Sequence, residues 1–212
     1  MILADIGNRH VHICSDEAVE HLLPDEAIKK YGDKAAYYIS VKKAYNDMLA
    51  ALDDWTDISD SIYIEGEYKG MGVDRKALCL SRDSGIFVDA GSAITVDRVI
   101  DGIYDGGFIM PGIHTYTKAF ADISLILDHK LDKDIALEEL PKSTQGSVSF
   151  GTVSPVIAII EKIRADLPVY FTGGDGEWLS GYFKDAIFDE RLLFDGMRKT
   201  VKGLKYANNR TP

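Results

Sequence analysis

An α/β fold made of two copies of one strand-rich lobe is expected from two features of the chain. Each half opens on a short apolar strand that runs into an aspartate-led turn. Ile2 to Ile6 runs into Asp5-Ile6-Gly7-Asn8, and Ile86 to Val88 runs into Asp89-Ala90-Gly91-Ser92. In each half the chain then returns as a hairpin and goes on into helical stretches, and strands mixed with helices give an α/β class. The 212 residues suit two small lobes sharing a cleft. The restart at Gly85 puts the lobes at 1–83 and 84–212. Identity between the halves is slight, so the duplication is one of structure and not of sequence.

In the first half, 2–6 reads as a buried strand, 10–14 as its antiparallel return and 19–22 as a weak third strand. Pro24 opens a helix to about Tyr31, since proline suits a first turn. Residues 35–40 read as a strand. Val41, Ala44, Tyr45, Met48, Leu49 and Leu52 recur at helical spacing and predict an amphipathic helix over 41–52. A strand at 61–64, a glycine-interrupted loop over 66–72 and a short helix from about Asp74 follow. In the second half, strands are expected at 86–88, 94–100 and 103–109, with Asp101-Gly102 as a turn. Helices are expected near 113–126 and 147–165, and a strand at 169–171 runs into Thr172-Gly173-Gly174. A last strand at 192–194 and a helix over 197–206 finish the chain, and the tail from Ala207 is expected to fray.

Composition narrows the function. The net charge is −10 and the basic residues form no run, which argues against a nucleic-acid partner. Cys14 and Cys79 are the only cysteines. Two thiols in apolar contexts make neither a disulfide framework nor a tetrahedral metal set, and read as buried and inert. No segment approaches the roughly 18 uninterrupted apolar residues of a membrane span. The first residues lack the basic region of a signal peptide. A cytoplasmic protein without a membrane partner is the expectation.

The two turns have a chemical use. A single Asp-x-Gly turn is most often a plain hairpin. Glycine lets the backbone approach a phosphate closely, and Asn8 or Ser92 can donate hydrogen bonds to its oxygens. An aspartate repels phosphate unless a cation stands between them, so Asp5 and Asp89 read as ligands on the metal side. Two such turns on facing lobes would clamp a polyphosphate. Thr172-Gly173-Gly174 offers bare backbone against which a flat adenine can lie. The chain carries neither the P-loop sequence nor the dinucleotide fingerprint, so a nucleotide site must use these other loops.

Five segments in order carry a resemblance: Asp5-x-Gly7-Asn8, Gly72-Val73-Asp74-Arg75, the stretch Asp89 to Asp97, Gly106 to Gly112, and Thr172-Gly173-Gly174. Together they resemble type III pantothenate kinase, within the acetate and sugar kinase/heat-shock ATPase/actin superfamily. The resemblance spans roughly residues 2 to 174. It implies duplicated ribonuclease H-like lobes of the actin/hexokinase type around a central interlobe cleft. It also implies an enzyme that uses ATP, with Mg2+ or another divalent cation, to phosphorylate the primary hydroxyl of pantothenate, the first step toward coenzyme A.

By that resemblance Asp74 is the catalytic base, and Tyr68, Gly72, Val73, Asp74 and Arg75 contact pantothenate. Asp5, Gly7, Asn8, Arg9, His12, Ser92, Gly173 and Gly174 hold ATP. Asp89 binds a monovalent cation, K+ or NH4+, and Asp5 a divalent one, directly or through water. Thr144 resembles a threonine that reaches pantothenate from the neighbouring subunit, which implies a homodimer with shared active sites. Physically, Asp74 has only to accept the hydroxyl proton as the new bond forms. It also reads as a helix N-cap. The Arg75 fork suits a carboxylate, but an arginine there also reads as a surface ion pair. Tyr63 is an alternative to Tyr68.

The chain departs from the family pattern in places. Arg9 and His10 follow Asn8 where the family usually has Thr-Asn. His12 stands where many relatives carry lysine, and Ser92 where threonine is usual. Residues 112–144 depart most. Another kinase or phosphatase of the superfamily, or a non-catalytic relative, are the competing readings. Gly72-Val73-Asp74-Arg75 argues against the first, and retention of Asp5, Asp74 and Asp89 together argues against the second.

Overall fold

In the computed structural model, which describes residues 1–7, 10–16, 18–41 and 52–208, two five-stranded sheets carry the fold. The first contains β1 (Ile2–Ile6), β2 (Val11–Ser15), β3 (Ala18–Leu22), β4 (Ala36–Ser40) and β5 (Trp55–Asp57), in the order β3-β2-β1-β4-β5. The second contains β6 (Gly85–Ala90), β7 (Ala93–Ile100), β8 (Ile103–Pro111), β9 (Val169–Thr172) and β10 (Ile187–Phe188), in the order β10-β9-β6-β7-β8. Read from β8, the second order repeats the first. In each sheet the opening strand pairs antiparallel with its hairpin return and parallel with the fourth strand, and the fourth pairs parallel with the fifth. The duplication expected from the two turns is thus a duplication of topology, and the fold is the duplicated ribonuclease H-like one. The helices are α1 (Pro24–Tyr31), α2 (Val73–Cys79), α3 (Ile113–Ile123), α4 (Thr144–Arg164), α5 (Gly176–Ser180) and α6 (Leu192–Asn208).

The chain divides into two compact units, one of Met1–Asp83, Ile100–Tyr104 and Glu190–Pro212, the other of Ser84–Val99 and Asp105–Asp189. This differs from the expected lobes 1–83 and 84–212 in one main respect: the C-terminal helix returns to the first unit. The reason is its apolar stripe. Successive strand residues face opposite sides of a sheet. Leu3, Cys14 and Ile39 lie in one cluster with Ala77 of α2 and with Leu193, Phe194, Met197 and Val201 of α6. Ala4, Ile6, Val11 and Ile13 lie in another, with Ala27 and Tyr31 of α1 and with Trp55. Without α6 the Leu3 face would lose most of its cover. The β7–β8 turn also belongs here, because Gly102 N donates to Asp83 O at 2.7 Å and Glu65 bridges Ile103.

In the second unit, Ile86, Val88 and Ala90 of β6, Ile94 and Val96 of β7, and Val169 and Phe171 of β9 pack on Val153, Val156, Ile157 and Ile160 of α4. Strand β6 is central and flanked on both sides, so it reads as an uninterrupted apolar run. Among the described residues α4 alone has the length and apolar composition of a membrane span. Its valines and Ile160 are core residues, and its Thr152 and Ser149 hydroxyls bond back to the carbonyls of Val148 and Gln145. Those features are those of a core helix.

Some elements differ from expectation. Residues 61–64 form no strand. A 3-10 turn at Ser59–Ser61 precedes them, and the edge of the first sheet is instead β5, where buried Trp55 donates from Nε1 to Tyr31 O at 3.2 Å. Residues 192–194 are the first turn of α6, since three consecutive apolar residues fit a buried helix end as well as a strand. The predicted helix over 41–52 falls almost wholly outside the described residues, as do 209–212. Cys14 and Cys79 are buried, as expected.

Candidate functional site

In the first unit, Asp5 on β1 stands opposite His12 on β2. Gly7 N donates to His10 O at 3.0 Å and closes the hairpin. A Cβ built on Gly7 would lie 3.2 Å from that carbonyl and 3.9 Å from His12 Nε2, so this nitrogen faces the backbone of the turn. Burial, then the neighbouring His21 and His10, press His12 down to about 4, and it is neutral at physiological pH. Its Nδ1 lies 2.5 Å from Nδ1 of His21 on β3. Asn8 and Arg9 lie outside the described residues. The structure therefore brings Asp5, Gly7 and His12 together and adds His21, which no sequence motif points to.

A second cluster in the same unit is built on α2. Gly72 is its N-cap, and Asp74 is the second helical residue instead of the cap. Asp74 Oδ1 accepts from Arg75 N at 2.8 Å. A Cβ on Gly72 would stand 2.5 Å from that oxygen, so a side chain here would displace the carboxylate from where it folds back over the helix start. The second Asp74 oxygen receives no hydrogen bond among the described residues. Arg75 is only 6% exposed, which excludes a surface ion pair. It donates from Nη1 to Tyr68 OH at 2.7 Å and from Nη2 to Tyr104 OH at 3.3 Å. Its guanidinium lies 5.9 Å from the centroid of the Tyr68 ring. Tyr68, and not Tyr63, is the tyrosine of this cluster, because its hydroxyl accepts from Arg75. Val73 packs against the first unit's core. Tyr104 was not foreseen: it arrives through the β7–β8 turn, with no local pattern tying it to Arg75.

In the second unit, Gly91 N donates to Ala93 O at 3.0 Å and shapes the turn after Asp89. Gly112 N donates to Ser92 O at 3.2 Å, and a Cβ on Gly112 would come within 2.6 Å of that same carbonyl. Asp175 N donates to Ala90 O at 3.0 Å. Gly173, at φ +85°, lays bare backbone against the Asp89 carboxylate and the Ala90 carbonyl, a space that any Cβ would fill. Nothing lies within 4 Å of a Cβ built on Gly174. Asp89, Ser92 and Gly173 thus meet, with Gly112 as a fourth member. The Asp89 carboxylate and Ala90 carbonyl oxygens that face Gly173 are hard ligands, which suit K+ or Mg2+ better than a soft cation. No group of three or more His, Cys, Asp or Glu able to hold a metal occurs among the described residues. A single carboxylate such as Asp5 fits a Mg2+ that keeps most of its waters. Thr144 is exposed at the start of α4, after Ser143, whose Oγ caps the helix by accepting from Gly146 N at 3.1 Å. Ile123, Leu125, Ile126 and Leu140 of this unit are exposed apolar residues.

The sequence profile of the type III pantothenate kinases matches residues 56–166. A curated type III pantothenate kinase of Helicobacter hepaticus is 37% identical over 203 residues, 95% of this chain and 98% of that one. A crystal structure from Campylobacter jejuni, provisionally described as a Baf family transcriptional activator, is 32% identical with a TM-score of 0.88, covering 97% of this chain and all of that one. A Sinorhizobium meliloti structure, provisionally described as a 2-dehydro-3-deoxygalactonokinase, is 9% identical with a TM-score of 0.58 over 96% and 98% of the two chains, and shares the fold.

Proposed function

The chain belongs to the type III pantothenate kinase family and phosphorylates pantothenate with ATP, the first step toward coenzyme A, and we propose the following division of roles among its residues. Asp74 accepts the proton of the pantothenate hydroxyl as that oxygen bonds to the phosphorus and ADP leaves. One observation carries this: one Asp74 oxygen is tied to Arg75 N–H, which fixes the carboxylate, while the other takes no protein hydrogen bond among the described residues. Phosphoryl transfer is governed by positioning and charge, so what this residue has to supply is a carboxylate fixed in direction.

Arg75, oriented by Tyr68 and Tyr104, binds the carboxylate of pantothenate, and Gly72 and Val73 shape the backbone beside it. Asp5, Gly7, Asn8, Arg9, His12, Ser92, Gly173 and Gly174 bind ATP. Asp5 takes a divalent cation and Asp89 a monovalent one, K+ or NH4+. A bound cation supplies positive charge against the phosphates, which neutral His12 and the acidic chain do not.

Active molecules are homodimers in the cytoplasm, and Thr144 completes the partner's site. The exposure of Thr144 and of Ile123, Leu125, Ile126 and Leu140 supports this. The description attached to the Campylobacter jejuni structure suggests a regulator of transcription as the second reading. A net charge of −10 works against binding the phosphate backbone. One assay separates the readings. The protein is given ATP, Mg2+ and K+ with pantothenate or a panel of sugars, and ADP release is followed. Pantothenate-dependent ADP is expected, and its absence overturns the kinase reading.

A further inference from the structure

We propose that His21 is a positioning residue for the nucleotide: through its hydrogen bond to His12 it keeps a hydrogen on His12 Nε2, aimed at the polyphosphate. This rests on the reading of His12 as an ATP contact.

The argument starts from the ladder. His12 and His21 are direct cross-strand partners on β2 and β3, so their rings meet on one face. The rings stand edge to face with centroids 4.8 Å apart, and the two Nδ1 atoms are hydrogen bonded at 2.5 Å. Two ring nitrogens cannot both donate or both accept. If His12 donates from Nδ1, its neutral ring leaves a lone pair on Nε2, directed at the turn that is to receive an anion. If His21 donates, His12 accepts at Nδ1 and carries its hydrogen on Nε2. Only the second arrangement presents a donor beside Gly7. An anion at the turn therefore selects it, and His21 is what makes it available at no cost in buried hydrogen bonds.

The outer nitrogen of His21, Nε2, lies 3.8 Å from Glu190 Oε1, beyond hydrogen-bond distance, so that carboxylate does not take the hydrogen His21 needs on Nδ1. A lysine at position 12 would need no such partner, because an ammonium carries donors in every direction. Histidine has to be told which nitrogen to protonate.

Binding of a non-hydrolysable ATP analogue, measured by titration calorimetry, tests this separately from turnover. Loss of pantothenate-dependent ADP release bears on the kinase reading, whereas analogue affinity bears on His21. His21→Ala should weaken the analogue about five- to tenfold, the scale of one ordinary hydrogen bond. His21→Asn places an amide donor where Nδ1 stands and should stay within about twofold of the parent. His12→Gln carries its own donor near the Nε2 position, so adding His21→Ala to it should change nothing further. Thermal melting of each variant shows that the fold is retained. Unchanged affinity in His21→Ala overturns the proposal. So does His21→Asn as weak as His21→Ala, or a full further loss in the His12→Gln background.

Discussion

Asp74 and Arg75 are neighbours in the chain with separate tasks, and their substitutions should part accordingly. Asp74→Asn keeps an oxygen for Arg75 N–H and keeps the start of α2, but removes the proton acceptor. Its kcat should fall about 10²- to 10⁴-fold with little change in KM for pantothenate, as steady-state kinetics would read. Full activity in this variant would refute the assignment of the base. Arg75→Lys keeps the charge but loses the fork that spans Tyr68 and Tyr104. Here KM for pantothenate should rise, by about tenfold or more, with a smaller effect on kcat. These two residues were legible in the sequence because Gly-x-Asp-Arg is a local pattern and one helix turn reproduces it. Tyr104 and His21 were not. Tyr104 reaches Arg75 across 29 residues and His21 reaches His12 across 9, and both meetings depend on sheet register and turn path. A register is set by the whole ladder, so no short motif announces it.

At the scale of elements, helix α6 offers a paired test. Gly196 sits where α6 crosses α2, so close to the Ala77 carbonyl that a Cβ cannot be placed without moving one helix. Gly203, farther along α6, has nothing within 4 Å of a built Cβ. Gly196→Ala should cost about 2–4 kcal/mol in urea unfolding, because it forces backbone apart in a packed core. Gly203→Ala should be neutral or stabilising by up to about 1 kcal/mol, the ordinary gain of alanine over glycine within a helix. Equal effects would mean that the α2–α6 contact is not what holds the first unit's core closed. The same helix shows where element reading falters. Leu192-Leu193-Phe194 is apolar at three successive positions, and periodicity cannot assign a run that short. The strands β1, β2, β6 and β7 were legible because apolar runs ended at clear turns. The edge strand β5 was not, having three residues and a single buried one, Trp55.

At the scale of the whole molecule, the repeated lobes were legible because the same turn chemistry recurs after two buried strands. The return of α6 to the first unit was not, since nothing local to 190–208 states which core its stripe completes. The assembly carries the remaining prediction. If Thr144 serves the partner's site, Asp74→Asn and Thr144→Ala impair different parts of one shared site. In a mixed dimer the Thr144→Ala chain has an intact Asp74 and receives an intact Thr144 from the Asp74→Asn chain. That one site is complete. Random reassortment of equal amounts makes half of the dimers mixed, so activity should recover to about a quarter of the parent's from two poorly active homodimers. Recovery should follow the rate of subunit exchange and fail when Leu125, an exposed apolar residue at 88% accessibility, is replaced by glutamate in both chains. Each variant is assayed alone and after mixing, with size-exclusion chromatography reporting the oligomer. Activity that merely averages the two homodimers would show that every active site is built from one chain, and Thr144 would then have no part in its partner's.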